Sequence, residues 1–242
     1  MRHQIIIVGL LTLLIGVTIW ITNLGKIGIY SAFSYGDVLY CAWAHFKMVF
    51  IAVIIVTVIG VPLGILVTRK GLERLSLPVL GGANVGQTIP SLAVIAIMAP
   101  LLGFGFRSAI VALIIYALLP ILRNSYTSIK NIDPAIIEAA RGMGMTRGQI
   151  AWKIELPLAR PVIMVGIRIS TVITVGTAEL AVLVGGAGLG KITLTGVFAR
   201  EVLIILQGAA PTAAMAITLG FLLERLEWWM TPRGLKIEAE IS

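Results

Sequence analysis

Long apolar runs separated by short polar stretches dominate the chain. Ile, Leu and Val fill positions 5–21 almost without interruption, and comparable runs occupy 45–67, 79–102, 108–122, 162–184 and roughly 207–226. A helix needs about 20 apolar residues to cross the hydrocarbon core of a bilayer. The pattern therefore predicts an all-α polytopic membrane protein, one domain over 1–242 with about six spans. The first run has the length of a signal peptide. However, Ile19-Trp20-Ile21-Thr22-Asn23 lacks the small-residue cleavage pattern, so it is kept as a span. The sixth run has the least sharp start, because 202–206 is also apolar. Pro62, Pro90, Pro100 and Pro120 lie in or at spans and read as structural kinks or as hinges.

Composition narrows the class. Of the 242 residues, 58% are hydrophobic and 12% charged, and the mean hydropathy is +1.02. Soluble domains carry about 25% charged residues, so a soluble fold and a disordered chain are both excluded. One cysteine, Cys41, rules out a disulfide framework. His3 and His45 stand far apart, so no metal site and no His-based catalytic cluster is expected.

The net charge of +8 is best read by position, because cytoplasmic loops of membrane proteins collect Lys and Arg. Six spans put both termini on one side. One orientation gathers Arg2, Arg69, Lys70, Arg74, the six basic residues of 123–160, Arg225, Arg233 and Lys236 on that side, 13 of the 19 Lys and Arg. Lys26, Lys47, Arg107, Lys191 and Arg200 fall on the other, and Arg168 lies inside the fifth span. This bias predicts cytoplasmic termini and places the longest polar stretch, 123–161, in the cytoplasm. The 23–44 segment then lies outside; its Tyr30, Phe33, Tyr35, Tyr40 and Trp43 read as an interfacial aromatic belt or as a docking surface for an external partner. Trp228 and Trp229 form the corresponding belt at the inner face.

The cytoplasmic stretch carries its own signals. Asp133-Pro134 is a helix start, an acceptor for free amides followed by a residue suited to the first helical position. One short helix is expected over 134–143, closing at Gly142 or Gly144. Thr146 with Gln149 three residues later has capping-box spacing, which predicts a second helix over 147–154. Pro157 and Pro161 are expected to break the chain before the fifth span.

Glu138-Ala139-Ala140, Gly144 and, after nine further residues, Ile154-Glu155-Leu156-Pro157 resemble the EAA loop of ABC-transporter permeases. The resemblance implies a type I importer permease fold, with 134–157 as the coupling segment that fits a cleft in a cytoplasmic ATPase. Its site residues here would be Glu138, Ala139, Ala140, Gly144, Ile154, Leu156 and Pro157. Gln87-Thr88-Ile89-Pro90-Ser91-Leu92-Ala93, Tyr116 to Asn124, Gly176-Thr177-Ala178 and Thr231-Pro232-Arg233-Gly234 are similar to permeases for quaternary-ammonium osmoprotectants. That likeness implies import of glycine betaine, choline, carnitine or a related solute across a bacterial inner membrane. It also implies an ATPase dimer holding ATP and Mg²⁺, a second permease subunit, identical or paralogous, and a solute-binding protein. Because the sequence ends eight residues after Gly234, that protein is expected to be a separate one. No cofactor, catalytic residue or nucleic-acid partner is expected for this chain.

Gly185 to Lys191 nearly spells a phosphate-binding loop, but Ile192 stands where Ser or Thr is needed for magnesium. The stretch also follows a span on the outer side, away from ATP, so it reads as an irregular loop near the gate. Glu179 departs from the resemblance, where an uncharged residue is usual after Gly-Thr-Ala. A carboxyl group in a span is a functional-site hypothesis. Glu179 would face the pathway, sit hydrated at its mouth, or pair with another helix or subunit. Arg168 is 11 residues away, about 16 Å along one helix, too far for direct pairing. Gln87, Pro90, Thr177 and Glu179 are thus the candidate pathway or gate residues. The alternatives are a permease for another small solute, or an ion-coupled secondary transporter, although no internal repeat is visible.

Overall fold

A computed structural model describes residues 2–26 and 33–231, and every described regular element is helical. In order they are α1 (Arg2–Lys26), α2 (Tyr35–Leu66), a 3₁₀ turn (Glu73–Leu75), α3 (Ser76–Thr88), α4 (Ser91–Leu102), α5 (Phe106–Lys130), α6 (Pro134–Gly142), α7 (Arg147–Ile150), a π turn (Ala151–Glu155), α8 (Leu156–Ala178), a second 3₁₀ turn (Glu179–Val184), α9 (Gly190–Ala199) and α10 (Val202–Met230). Tyr30, Pro232 to Gly234 and Lys236 lie outside the described residues.

Five helical stretches are long and apolar enough to cross a membrane by length and composition, and α3 with α4 adds a sixth if that bent pair is one span. The bend is a correction to the single helix expected over 79–102: α3 and α4 meet at 99°. Pro90 is the cause. It has no N–H to continue α3, and it forces the residue before it out of the helical region. Ile89 is extended at φ −72°, ψ 131°. The freed backbone finds partners on α5: the Tyr116 hydroxyl donates to the Ile89 carbonyl, and the Gln87 amide donates to the Tyr116 carbonyl at 2.6 Å.

Two further expectations are corrected. The second span begins ten residues earlier than position 45, at Tyr35, because Ser34 and Asp37 form a reciprocal capping box that starts α2 there. Tyr35, Tyr40 and Trp43 are therefore exposed on the first turns of a helix and not on a loop. The chain also does not break at Pro157 and Pro161. α7, the π turn and α8 follow one another without a gap. Pro157 sits in the first turn of α8, directly after the π turn. A proline ring clashes with the carbonyl four residues back in an α-helix, and the wider i→i+5 turn removes that clash.

The core gathers around α5. Met48 and Ala52 of α2, Ile95 of α4, Ala109 and Leu113 of α5, and Val175 and Ala178 of α8 pack together fully buried. Glycines set the closest approaches. A Cβ on Gly64 would stand 2.7 Å from the Leu122 carbonyl oxygen and 2.7 Å from the Ser125 Cβ. One on Gly166 would stand 2.8 Å from the Asn124 Cβ. Small residues admit such contacts between membrane helices, where packing replaces the hydrophobic drive.

Candidate functional site

The expected coupling residues lie together at one end of the bundle, between α5 and α8. Asp133 caps α6 by accepting from the Ala135 N–H at 2.9 Å, and Pro134 occupies the first helical position. The helix closes at Gly144, with Gly142 still inside it. The Met145 N–H reaches the Ala140 carbonyl at 3.2 Å and the Gly144 N–H the Arg141 carbonyl at 2.9 Å. These two bonds make a Schellman motif, which needs a left-handed residue at this point. Gly144 supplies it at φ +77°, and that is the physical reason for a glycine there.

Thr146 and Gln149 then form both halves of a capping box, at 2.8 and 3.3 Å. Ala140 is buried, while Glu138, Ala139 and Gly144 are exposed. Ile154, Leu156 and Pro157 are half-buried where the π turn passes into α8. Large apolar side chains stand free on this segment: Ile136, Met143 and Trp152 are 42%, 73% and 73% exposed. Glu155 is tied to the end of α2, its carboxylate 2.5 Å from the Arg69 guanidinium.

The candidate pathway residues divide into two places. Gln87 and Pro90 belong to the α3–α4 break described above. Glu179 lies at the other end of α8 from the coupling segment, and α8 is 23 residues or about 35 Å long. Its carboxylate accepts from the Thr212 hydroxyl of α10 and lines a cavity of about 340 Å³ between α8, α9 and α10. Pairing with Arg168 does not occur. Arg168 turns to α10 and meets Glu224 at 3.2 Å and Glu227 at 3.7 Å. The Thr177 hydroxyl bonds back to the Ile173 carbonyl at 2.9 Å, within its own helix.

Sequence reasoning overlooked His45. Set aside as a lone histidine, it is fully buried and bridges two backbone groups, the Val175 carbonyl at 3.0 Å and the Leu189 N–H at 3.3 Å. It pins the glycine-rich turn after Glu179 to α2 and α8. The usable signal was a polar residue at the start of an apolar run, two positions before Lys47.

Residues 60–234 match the family model described as "Binding-protein-dependent transport system inner membrane component". The chain is 41% identical to the choline transport system permease protein OpuBB of Bacillus subtilis (strain 168), over 86% of this chain and 94% of that one. It is 44% identical to the carnitine transport permease protein OpuCD of Listeria monocytogenes serotype 1/2a (strain 10403S), over 78% of this chain and 85% of that one. It is 39% identical to the osmoprotectant import permease protein OsmW of Salmonella typhimurium (strain LT2), over 79% and 91%. Among solved structures, an inward-facing form of the MetNI methionine ABC transporter superposes with a TM-score of 0.73 at 26% identity, over 81% of this chain and 97% of that one.

Proposed function

This chain belongs to the family of binding-protein-dependent transport system inner membrane components, and from that premise we propose that it is the membrane-spanning subunit of an ATP-driven importer for quaternary-ammonium compatible solutes. The substrate class is supported by relatives whose names assign them choline, carnitine and osmoprotectant transport. The identity of 26% to a methionine transporter chain supports a permease for another small solute less well. An ion-coupled mechanism is set aside with the family assignment.

The permease works with an ATPase and a solute-binding protein. In the arrangement proposed, an ATPase dimer sits under the 134–157 segment in the cytoplasm, and both termini of this chain face the same side. ATP and Mg²⁺ are held by the ATPase; this chain holds no cofactor. A second permease copy, identical or paralogous, completes the pathway. Solute affinity resides mainly in the solute-binding protein.

The observation that carries the coupling assignment is the capped α6–α7 pair with the π turn after it, which together present Ile136, Met143 and Trp152 outward. ATP binding draws the two ATPase subunits together and displaces this pair. The displacement reaches α8 through the π turn and reaches α2 through the Arg69–Glu155 ion pair. Coupling of this kind needs an element with two arrangements that both sites bias. Gln87 and Pro90 serve it as the bend of the third span, and Thr177 and Glu179 as the end of α8 where the path opens.

Replacing Glu138 with Lys and Gly144 with Trp tests the assignment. Gly144 has a left-handed backbone, so any side chain there strains the turn. Solute uptake should be lost while the permease stays in the membrane, and the ATPase should no longer co-purify. Co-purification of the ATPase at the wild-type level with both changes together refutes the docking assignment.

A further inference from the structure

Two cavities adjoin along the seam between α8 and α10, about 340 and 460 Å³, with Val172 and Ala216 in both walls and Ile7 of α1 closing one side of the larger. Glu179 stands in the first, and Arg168 and Glu224 line the second. With Glu227, which also meets Arg168, and Arg225, stacked 5.1 Å from the ring centre of the lining Phe221, the seam carries three carboxylates against two guanidinium groups. We propose that this groove is the solute-facing wall of the subunit and that Glu179 is the transient seat of a quaternary-ammonium head group. The proposal rests on the reading of the protein as an importer for such solutes and assigns that reading a place.

Three features of the pocket point to this occupant. The first is an incompletely paired carboxylate. Thr212 donates to one oxygen of Glu179, while the other is buried and short of a full hydrogen bond, with the Thr193 side chain as a further polar neighbour of the carboxylate. A buried charge without full pairing is costly, and a cation in the cavity relieves that cost.

The second is the chemistry of the wall. Val172, Val175, Leu180 and Ala213 present aliphatic surface, and Thr193 and Thr212 are the other polar side chains lining the pocket. A primary ammonium brings three N–H donors that need acceptors, and beyond the carboxylate only the hydroxyl oxygens of Thr193 and Thr212 could accept from it. A quaternary ammonium brings no donor, and its methyl groups match the aliphatic wall. The mostly aliphatic lining therefore suits a cation that donates no hydrogen bonds.

The third is size and weakness together. The cavity is roughly ten times the ~30 Å³ share of one water. Its wall holds no aromatic ring, so the cation–π attraction that holds such heads tightly is missing. A transit site must bind well enough to admit a solute and weakly enough to release it. Arg168 is 11 residues from Glu179, about 16 Å along α8, so a small solute meets the two ends in turn and not at once.

The test uses the permease with its ATPase and binding protein in proteoliposomes. Ala213→Cys, in a Cys41→Ala background, places a thiol in the pocket. It is treated with the trimethylammonium-ethyl methanethiosulfonate reagent and, separately, with neutral methyl methanethiosulfonate. A focused negative potential should raise the relative rate of the cationic reagent about tenfold, and choline should slow it. Glu179→Gln, checked for wild-type co-purification of the complex, should abolish both effects, and Glu179→Asp should retain part of them. A cationic preference unchanged by Glu179→Gln, or labelling that choline does not slow in a complex that takes choline up, overturns the proposal. Uptake by the wild-type complex separates the two levels. If it takes up neither choline, glycine betaine nor carnitine, the substrate reading fails, whatever the labelling shows. If it takes them up and Glu179→Gln does so equally well, the site assignment fails and the substrate reading stands.

Discussion

His45→Leu is a perturbation whose size follows from two hydrogen bonds. The imidazole is fully buried on α2, and its two nitrogens have different work. The Leu189 N–H can only donate, so Nδ1 accepts from it at 3.3 Å. Nε2 then carries the proton and donates to the Val175 carbonyl at 3.0 Å. That carbonyl is not paired within its own helix in the usual way, because the Glu179 N–H goes to Gly176 and Thr177. Leucine fills similar space and offers neither group, leaving an N–H and a C=O unpaired in a dry interior. Each orphan costs about 1–3 kcal/mol, which puts the whole effect at about 2–6 kcal/mol if the turn cannot move to find water. The turn is hemmed in, since a Cβ on Gly188 would already lie 3.1 Å from Nδ1. The most direct readout is hydrogen exchange at the Leu189 amide in the purified complex. At tenfold per 1.4 kcal/mol, loss of its share should speed exchange about 5- to 150-fold. His45→Gln, which has both a donor and an acceptor, should fall between wild type and leucine. Unchanged exchange at Leu189 together with an unchanged unfolding temperature would show that the imidazole does not hold the turn.

Two other substitutions test the packing and the coupling path. Gly64→Leu drives a side chain into the Leu122 carbonyl and Ser125, where even a Cβ is too close at 2.7 Å; the overpacking should cost about 1–3 kcal/mol and lower the unfolding temperature, whereas the same change at Gly81, which has open space around it, should not. Reversing the ion pair, Arg69→Glu with Glu155→Arg, should recover transport that each single change lowers at unaltered ATPase activity. Recovery is expected because Glu155 is only 12% exposed and is left as an uncompensated buried charge when its partner is removed. Failure of the double variant to exceed either single one would remove this pair from the coupling path.

Local chemistry was legible in the sequence wherever a backbone requirement is met by a neighbour a few residues away. Asp133 before Pro134, and Thr146 with Gln149, were readable as caps and are caps in the structure. The C-terminus of α6 was readable only to within two residues. The choice of Gly144 over Gly142 depends on a pair of backbone bonds that composition does not encode. The bend at Pro90 was harder still, because proline within an apolar run is compatible with a kinked single helix and with two separate ones. What decides it is Gln87 of α3 meeting Tyr116 of α5, 29 positions apart in the sequence. The prolines at 157 and 161 misled in the opposite direction, since a π turn accommodates the first of them without ending the helical run. Gly60 and Gly64, spaced four apart and facing Ile121, Leu122 and Ser125, were present in the sequence as a small-residue pair and carry the close approach of α2 to α5.

A common cause links the polar residues that interrupt the apolar runs. A backbone polar group inside a bilayer must be paired within the protein, so each irregularity of a spanning helix requires a side chain from elsewhere. Tyr116 serves the break at Ile89, and His45 serves the turn that ends α8. Glu155 in the π turn is held by Arg69 of the neighbouring helix end. Each of these polar groups is used up by the structure it supports. Glu179 is supported only by hydroxyls: Thr212 donates to one of its oxygens, and the Thr193 side chain is the further polar neighbour of the carboxylate. A neutral acceptor could have paired with Thr212 at lower cost, so supporting the fold does not explain a carboxylate at this position. On the proposal made above, a carboxylate set in an aliphatic cavity, beyond the Glu224 and Glu227 pair that Arg168 already meets, is there for a positive charge that passes through.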